Sequence, residues 1–126
     1  MAEKIGEYEF EMKNNSFSKE ADGTFVANVD FEGTAGDYGP GFGTLRVPLK
    51  EPGAKSGVCT WTGQAFPPGV PWVTGAGDGT WEQVEDLNRW ILVFPVFEIS
   101  DGSRVRREDV LDLETRMLKG KMYDAS

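Results

Sequence analysis

The sequence predicts an all-β fold, a single antiparallel eight-stranded barrel occupying residues 1–126 as one domain. Three observations predict it. Apolar and polar residues alternate with period two in successive runs, the pattern of half-buried strands. Glycine and proline punctuate those runs at roughly ten-residue spacing, which is turn chemistry. The stretch Arg89 to Leu113, RWILVFPVFEISDGSRVRREDVLDL, reads as one long hairpin turning at Ser100-Asp101-Gly102. Closure of such strands into a barrel removes edges that would otherwise be sticky. A barrel of about eight strands is filled by its own side chains or holds one small ligand.

The elements follow in order. Glu7 to Lys13 places Tyr8, Phe10 and Met12 on one face and Glu7, Glu9 and Glu11 on the other. Asn14 to Gly23 is polar and ends in the hairpin signal Asp22-Gly23. Thr24 to Glu32 alternates again, with Phe25, Ala27, Val29 and Phe31 opposite Val26, Asn28 and Asp30. Gly33 to Gly43 holds five glycines and a proline and reads as a loop, either flexible over an opening or simply a wide turn. Thr44 to Leu49 and Gly57 to Phe66 are the third and fourth strands, joined by a turn at Pro52-Gly53. Pro67, Pro68 and Pro71 force an extended crossing. Gly75 to Gly79 reads as a further turn, Thr80 to Val84 as a short strand, and Glu85 to Asn88 as an acidic bend.

In the hairpin, Trp90 to Ile99 is apolar on both faces. Trp90, Leu92, Phe94 and Val96 fall on one, and Ile91, Val93, Phe97 and Ile99 on the other. One face fills the core; the other calls for a cover, which predicts a homo-oligomer. Thr115 to Tyr123 closes the barrel as the eighth strand. A helix over Arg106 to Leu118 is the alternative there, but its apolar spacing is imperfect.

The totals bound the function. A chain of 126 residues suits one core, and 39% apolar with 27% charged content is ordinary for a globular protein. A net charge of −8 disfavours nucleic acid and anionic membrane surfaces as partners and reads as solubility. There is no histidine, which removes the usual general base and metal ligand. The single cysteine, Cys59, excludes an intramolecular disulfide and a thiolate metal cluster. No metal site or cofactor is expected; GAGDG at Gly75 to Gly79 has no helix after it and is not a dinucleotide fingerprint. MAEKIGEYEFEMKNN contains no apolar signal region, and no run is long enough for a membrane-spanning helix, so a cytoplasmic location is expected.

The segments FEGTAGDYGPGFGTL (Phe31 to Leu45), VTGAGDGTWE (Val73 to Glu82) and the long hairpin are similar to those of small bacterial calycin-like or allene-oxide-cyclase-like barrel proteins. The likeness spans roughly two thirds of the chain and is carried by turn glycines. It implies a trimeric or dimeric barrel that holds a small hydrophobic or aromatic molecule, commonly without a cofactor. Cyclases, a tautomerising demethylase and lipocalin-type carriers belong to that group. A histidine used by some of its enzymes has no counterpart here.

Candidate chemistry rests on carboxylates. Glu98 lies on the parity of Trp90, Leu92, Phe94 and Val96; if that face points inward, desolvation would prepare it for proton transfer. The plainer reading has it reaching water beside the Ser100 turn. Asp30 and Asn28 line the lumen if Phe25, Val29 and Phe31 pack outward, and the surface otherwise. Asp109 and Asp112 point to opposite faces, so at most one faces inward. Tyr123 is a candidate hydrogen-bond donor to a ligand or a cap on the barrel mouth. Trp61, Trp81 and Trp90, with Tyr38, are candidates for an aromatic ligand wall or plain core. Arg104, Arg106 and Arg107 sit beside Glu108 and Asp109 and read as cross-strand ion pairs. The expectation is a small-molecule protein, either a cofactor-free isomerase, cyclase or lyase using Glu98 or Asp30 as acid/base with Tyr123 as donor, or a carrier. A structural oligomeric β domain for protein partners is the other reading.

Overall fold

Period-two alternation becomes strand after strand in the computed structural model, which describes residues 3–85 and 87–126. Eight antiparallel strands close into a barrel in which each pairs with its neighbours in sequence. They are β1 (Lys4–Lys19), β2 (Phe25–Thr34), β3 (Pro40–Leu49), β4 (Ser56–Ala65), β5 (Val73–Gln83), β6 (Arg89–Ile99), β7 (Arg104–Asp112) and β8 (Met117–Asp124). A single 3-10 turn, Gly36–Tyr38, joins β2 to β3. The described residues contain no α-helix, so the helical alternative over Arg106 to Leu118 is excluded. None of them forms a helix long and apolar enough to cross a membrane.

The centre of the barrel is closed by Leu45, Leu92, Phe94, Leu111 and Leu118, all 1% exposed or less. Burying each such side chain contributes about 1.5–3 kcal/mol.

Four local readings need correction. Asn14 to Lys19 is strand, not loop: β1 runs to Lys19 and pairs there with β2. The Gly33 to Gly43 stretch is mostly regular, with β2 reaching Thr34 and β3 starting at Pro40. Gly75 to Gly79 is not a turn but the middle of β5. The glycines there serve packing. A Cβ on Gly43 would lie 2.2 Å from the Trp61 ring, and one on Gly75 would lie 2.6 Å from Phe97. Strand glycines thus give the space that large rings occupy. The expected acidic bend at Glu85 to Asn88 includes Asp86, which lies outside the described residues.

The fourth correction concerns β6. Its register against β7 shifts between Phe94 and Phe97, and against β5 between Ala76 and Thr80. This β-bulge surrounds Pro95, which cannot donate to a ladder. An extra residue inverts the in/out phase. Leu92 and Phe94 are therefore inside, and so are Phe97 and Ile99. Ile91 and Val96 face out, 42% and 40% exposed, and Ile91 lies opposite Val110 of β7.

Candidate functional site

β7 carries Val105, Arg107, Asp109 and Leu111 on its inward parity, and all four are buried. Two charges therefore sit inside the barrel. Arg107 Nη2 donates to Asp109 Oδ2 at 2.7 Å. Arg107 Nε donates to the Tyr8 hydroxyl at 3.0 Å, and that hydroxyl donates to Asp109 Oδ1. Tyr8 reaches β7 from β1, across β8, because Gly120 stands opposite both Tyr8 and Asp109. With no side chain there, phenol and carboxylate meet over the bare backbone.

The guanidinium is also caged by rings. Its central carbon lies 4.3 Å from the Trp61 ring centroid, 4.7 Å from Phe97, 4.8 Å from Phe94 and 4.9 Å from Tyr8. Cation–π attraction is strongest when desolvated, at about 2 kcal/mol or more. The bulge in β6 is what turns both Phe94 and Phe97 toward it. Burial raises the Tyr8 phenol far above its ordinary pKa, opposed by Arg107 and assisted by Asp109. Burial likewise pushes Asp109 up, while Arg107 and the Tyr8 hydrogen bond pull it back. Arg107 stays a cation: burial opposes its charge, but Asp109 and Tyr8 outweigh it and raise its pKa.

Arg107 forms part of the wall of a cavity of about 70 Å³ near the end of the barrel. Trp61, Phe97, Phe10, Met122 and Ala65 also line it, and Gly41, Gly63 and Gly75 leave room for it. No carboxylate lines it. Among the described residues, the hydrogen bonds of Arg107 use Nε and Nη2, and Nη1 is not one of the buried atoms left without a partner. Tyr38, on the 3-10 turn, covers the mouth. Its hydroxyl donates to Asp101 Oδ2 at 3.0 Å and lies 3.4 Å from Ser103 Oγ, both in the β6–β7 turn. Gly36 and Gly39, which bracket that turn, hold φ of 59° and 78°, a conformation that favours glycine.

The structure separates the residues proposed from the sequence. Tyr38 and Trp61 line the cavity. Trp81 and Trp90 lie toward the other end of the barrel, stacked with centroids 4.4 Å apart and planes at 17°. They are packing rather than wall, and the Trp81 Nε1 donor is buried without a partner. Glu98 is exposed, between Ala76 and Arg104 on neighbouring strands, because the bulge removes it from the parity of Phe94. Asp30 is on the outer wall, where Thr44 Oγ1 donates to it at 2.7 Å and Asn14 Nδ2 at 3.4 Å. Asn28 shares that outer face, since Phe31, Val29 and Ala27 take the inner one. Tyr123 also faces out, because Leu118, Gly120 and Met122 hold the inner parity of β8. Arg107 and Asp109 form a lumenal pair, while Arg106 pairs on the outside with Glu108 at 2.8 Å. The signal for the pair was present in the sequence: both charges share the parity of Val105 and Leu111. Comparison with protein-family models, curated proteins and solved structures finds no match to this chain.

Proposed function

We propose that the barrel binds, without catalysis, a small and mainly apolar molecule carrying one hydrogen-bond acceptor such as a carbonyl. The observation that carries this reading is Arg107: a buried guanidinium on the cavity wall whose hydrogen bonds to the protein use Nε and Nη2. A carbonyl reaching Nη1 would accept a charge-assisted hydrogen bond, which is stronger than one between neutral groups. Asp109 already balances the charge of Arg107, so a neutral acceptor fits better than an anion. Aromatic and glycine walls suit an apolar body. Carboxylate acid/base chemistry loses support, since Glu98 and Asp30 are outdoors and both Asp109 oxygens are engaged.

Size narrows the class. A cavity of about 150 Å³ admits benzene, and this one measures about 70 Å³. Short aliphatic ketones and aldehydes fit as the barrel stands; a ring enters only if Tyr38 moves aside.

Tryptophan fluorescence during titration with acetone, butanone, benzaldehyde and acetophenone tests the proposal, because Trp61 lies in the wall. We expect a saturable change for at least one compound and its loss in Ala65→Met, which fills the cavity. The absence of any saturable change across the panel, or an equal response from Ala65→Met, would overturn it.

A further inference from the structure

β1 outlasts one of its neighbours. Its ladder with β8 ends at Glu11 opposite Met117, followed by one bond from Met12 N–H to Arg116 at 2.9 Å. A bulge between Met12 and Asn14 then bends β1 away, and from Asn14 to Lys19 it pairs with β2 alone. Among the described residues, no strand pairs with its other edge. Every residue from Lys13 to Lys19 is exposed, and Phe17 is 68% exposed. In a strand every second residue directs both its N–H and its C=O to a given edge, so this edge offers unsatisfied donors and acceptors.

We infer that this edge is the interface between two copies of the chain, paired antiparallel about a two-fold axis through Phe17. An open edge is complementary to itself in an antiparallel sense, and a two-fold arrangement closes the assembly at a dimer. The register follows from side-chain alternation. Paired residues share a face, so the axis must pass through a residue and not between residues. An axis through Ser16 would set Lys13 against Lys19 of the second copy, twice, which like charge opposes. Axes through Asn15 or Ser18 leave Phe17 opposite a lysine, and the one through Ser18 also shortens the ladder. The axis through Phe17 sets the two phenyl rings together, Ser16 opposite Ser18, and Lys19 opposite Asn15. Directly opposed aromatic residues are among the favourable cross-strand pairs. This interface differs from the exposed apolar residues Ile91, Val96 and Val110 on β6 and β7.

Sedimentation equilibrium from 1 to 200 μM should show a species of twice 13.9 kDa. Phe17→Lys, which places two ammonium groups on the axis, should weaken the dimer at least tenfold while leaving far-UV circular dichroism unchanged. Ile91→Lys should leave it intact. Phe17→Cys should form a disulfide-linked dimer on mild oxidation, because opposed Cα atoms about 4.5–5.5 Å apart lie in disulfide range. Ser16→Cys should link efficiently only when mixed with Ser18→Cys. A monomer throughout, a dimer abolished by Ile91→Lys but not by Phe17→Lys, or efficient linking of Ser16→Cys to itself would overturn the inference.

Discussion

Tyr8 and Asp109 bond to each other across the full width of strand β8, over a residue that has no side chain. A Cβ on Gly120 would lie 2.4 Å from both Asp109 Oδ1 and Tyr8 Cε1. Three adjacent strands thus contribute one group each: a phenol, a gap and a carboxylate. Gly120→Ala should destabilise the barrel by about 1–3 kcal/mol, the range for an overpacked interior. Urea denaturation at neutral pH measures it, and an unchanged midpoint would mean that the two side chains do not meet over Gly120.

The Arg107–Asp109 pair should behave as buried ion pairs do. Asp109→Asn leaves a guanidinium without its counter-ion and should cost about 3–5 kcal/mol. Replacing both partners together, Arg107→Met with Asp109→Leu, should cost much less than the two single changes summed. A double-mutant cycle by denaturant unfolding reads the coupling; additive single effects would show that the pair does not act as a unit.

Stability should decline at alkaline pH. Burial pushes the Cys59 thiol up to about 12, with Asp109 adding to the rise, and burial raises the Tyr8 phenol as well. Both groups keep their protons in the fold after the unfolded chain has lost them. Unfolded thiols titrate near about 8.5 and phenols near about 10. The unfolded state therefore binds fewer protons above those values, and stability falls as pH rises, by up to about 1.4 kcal/mol per pH unit per group. Below about pH 7 these two groups contribute almost no slope. Unfolding free energies measured from pH 7 to 10.5 should decline in the native protein and decline less in Cys59→Ala; identical slopes would remove Cys59 as a cause.

Cys59 offers a second readout of the same burial. At 2% exposed and with its thiol held protonated, it should react with Ellman's reagent at pH 8 only through opening of the barrel. The rate should rise at least a hundredfold in denaturing urea. Prompt reaction in the native protein would show that the wall at β4 is open.

Tyr38→Phe keeps the ring over the cavity and removes its tie to Asp101 and Ser103. For whichever ketone or aldehyde binds, association and dissociation should both quicken severalfold, with little change in Kd. Stopped-flow fluorescence distinguishes this from a role in affinity, which would move Kd and leave the association rate alone.

The barrel itself was readable because alternation survives in most strands: Tyr8 and Phe10, Phe31, Leu45, Cys59 and Trp61 all lie on the faces their parity assigns. The site was less readable for two physical reasons. Parity continued through Pro95 treats the strand as uniform, and the bulge there sends Glu98 outdoors and Phe97 indoors. The charges of Arg107 and Asp109 read as cross-strand ion pairs with no face assigned, although both share the parity of Val105 and Leu111 and pair along one strand. The glycine runs misled in a third way. Gly43 and Gly75 read as flexible turn residues, yet their role is to let Trp61 and Phe97 lie flat against the sheet.

The irregularity at Pro95 and Val96 acts on the three-dimensional fold as a frameshift acts on a message. Every side chain downstream in β6 is read in the opposite phase from those upstream. Straightening the strand with every residue kept, so that Val96 turned inward, would turn Phe97 and Ile99 out to solvent and deliver the Glu98 carboxyl to the lumen. A single extra residue in the ladder therefore separates a chamber with no carboxylate in its wall from one furnished with an acid.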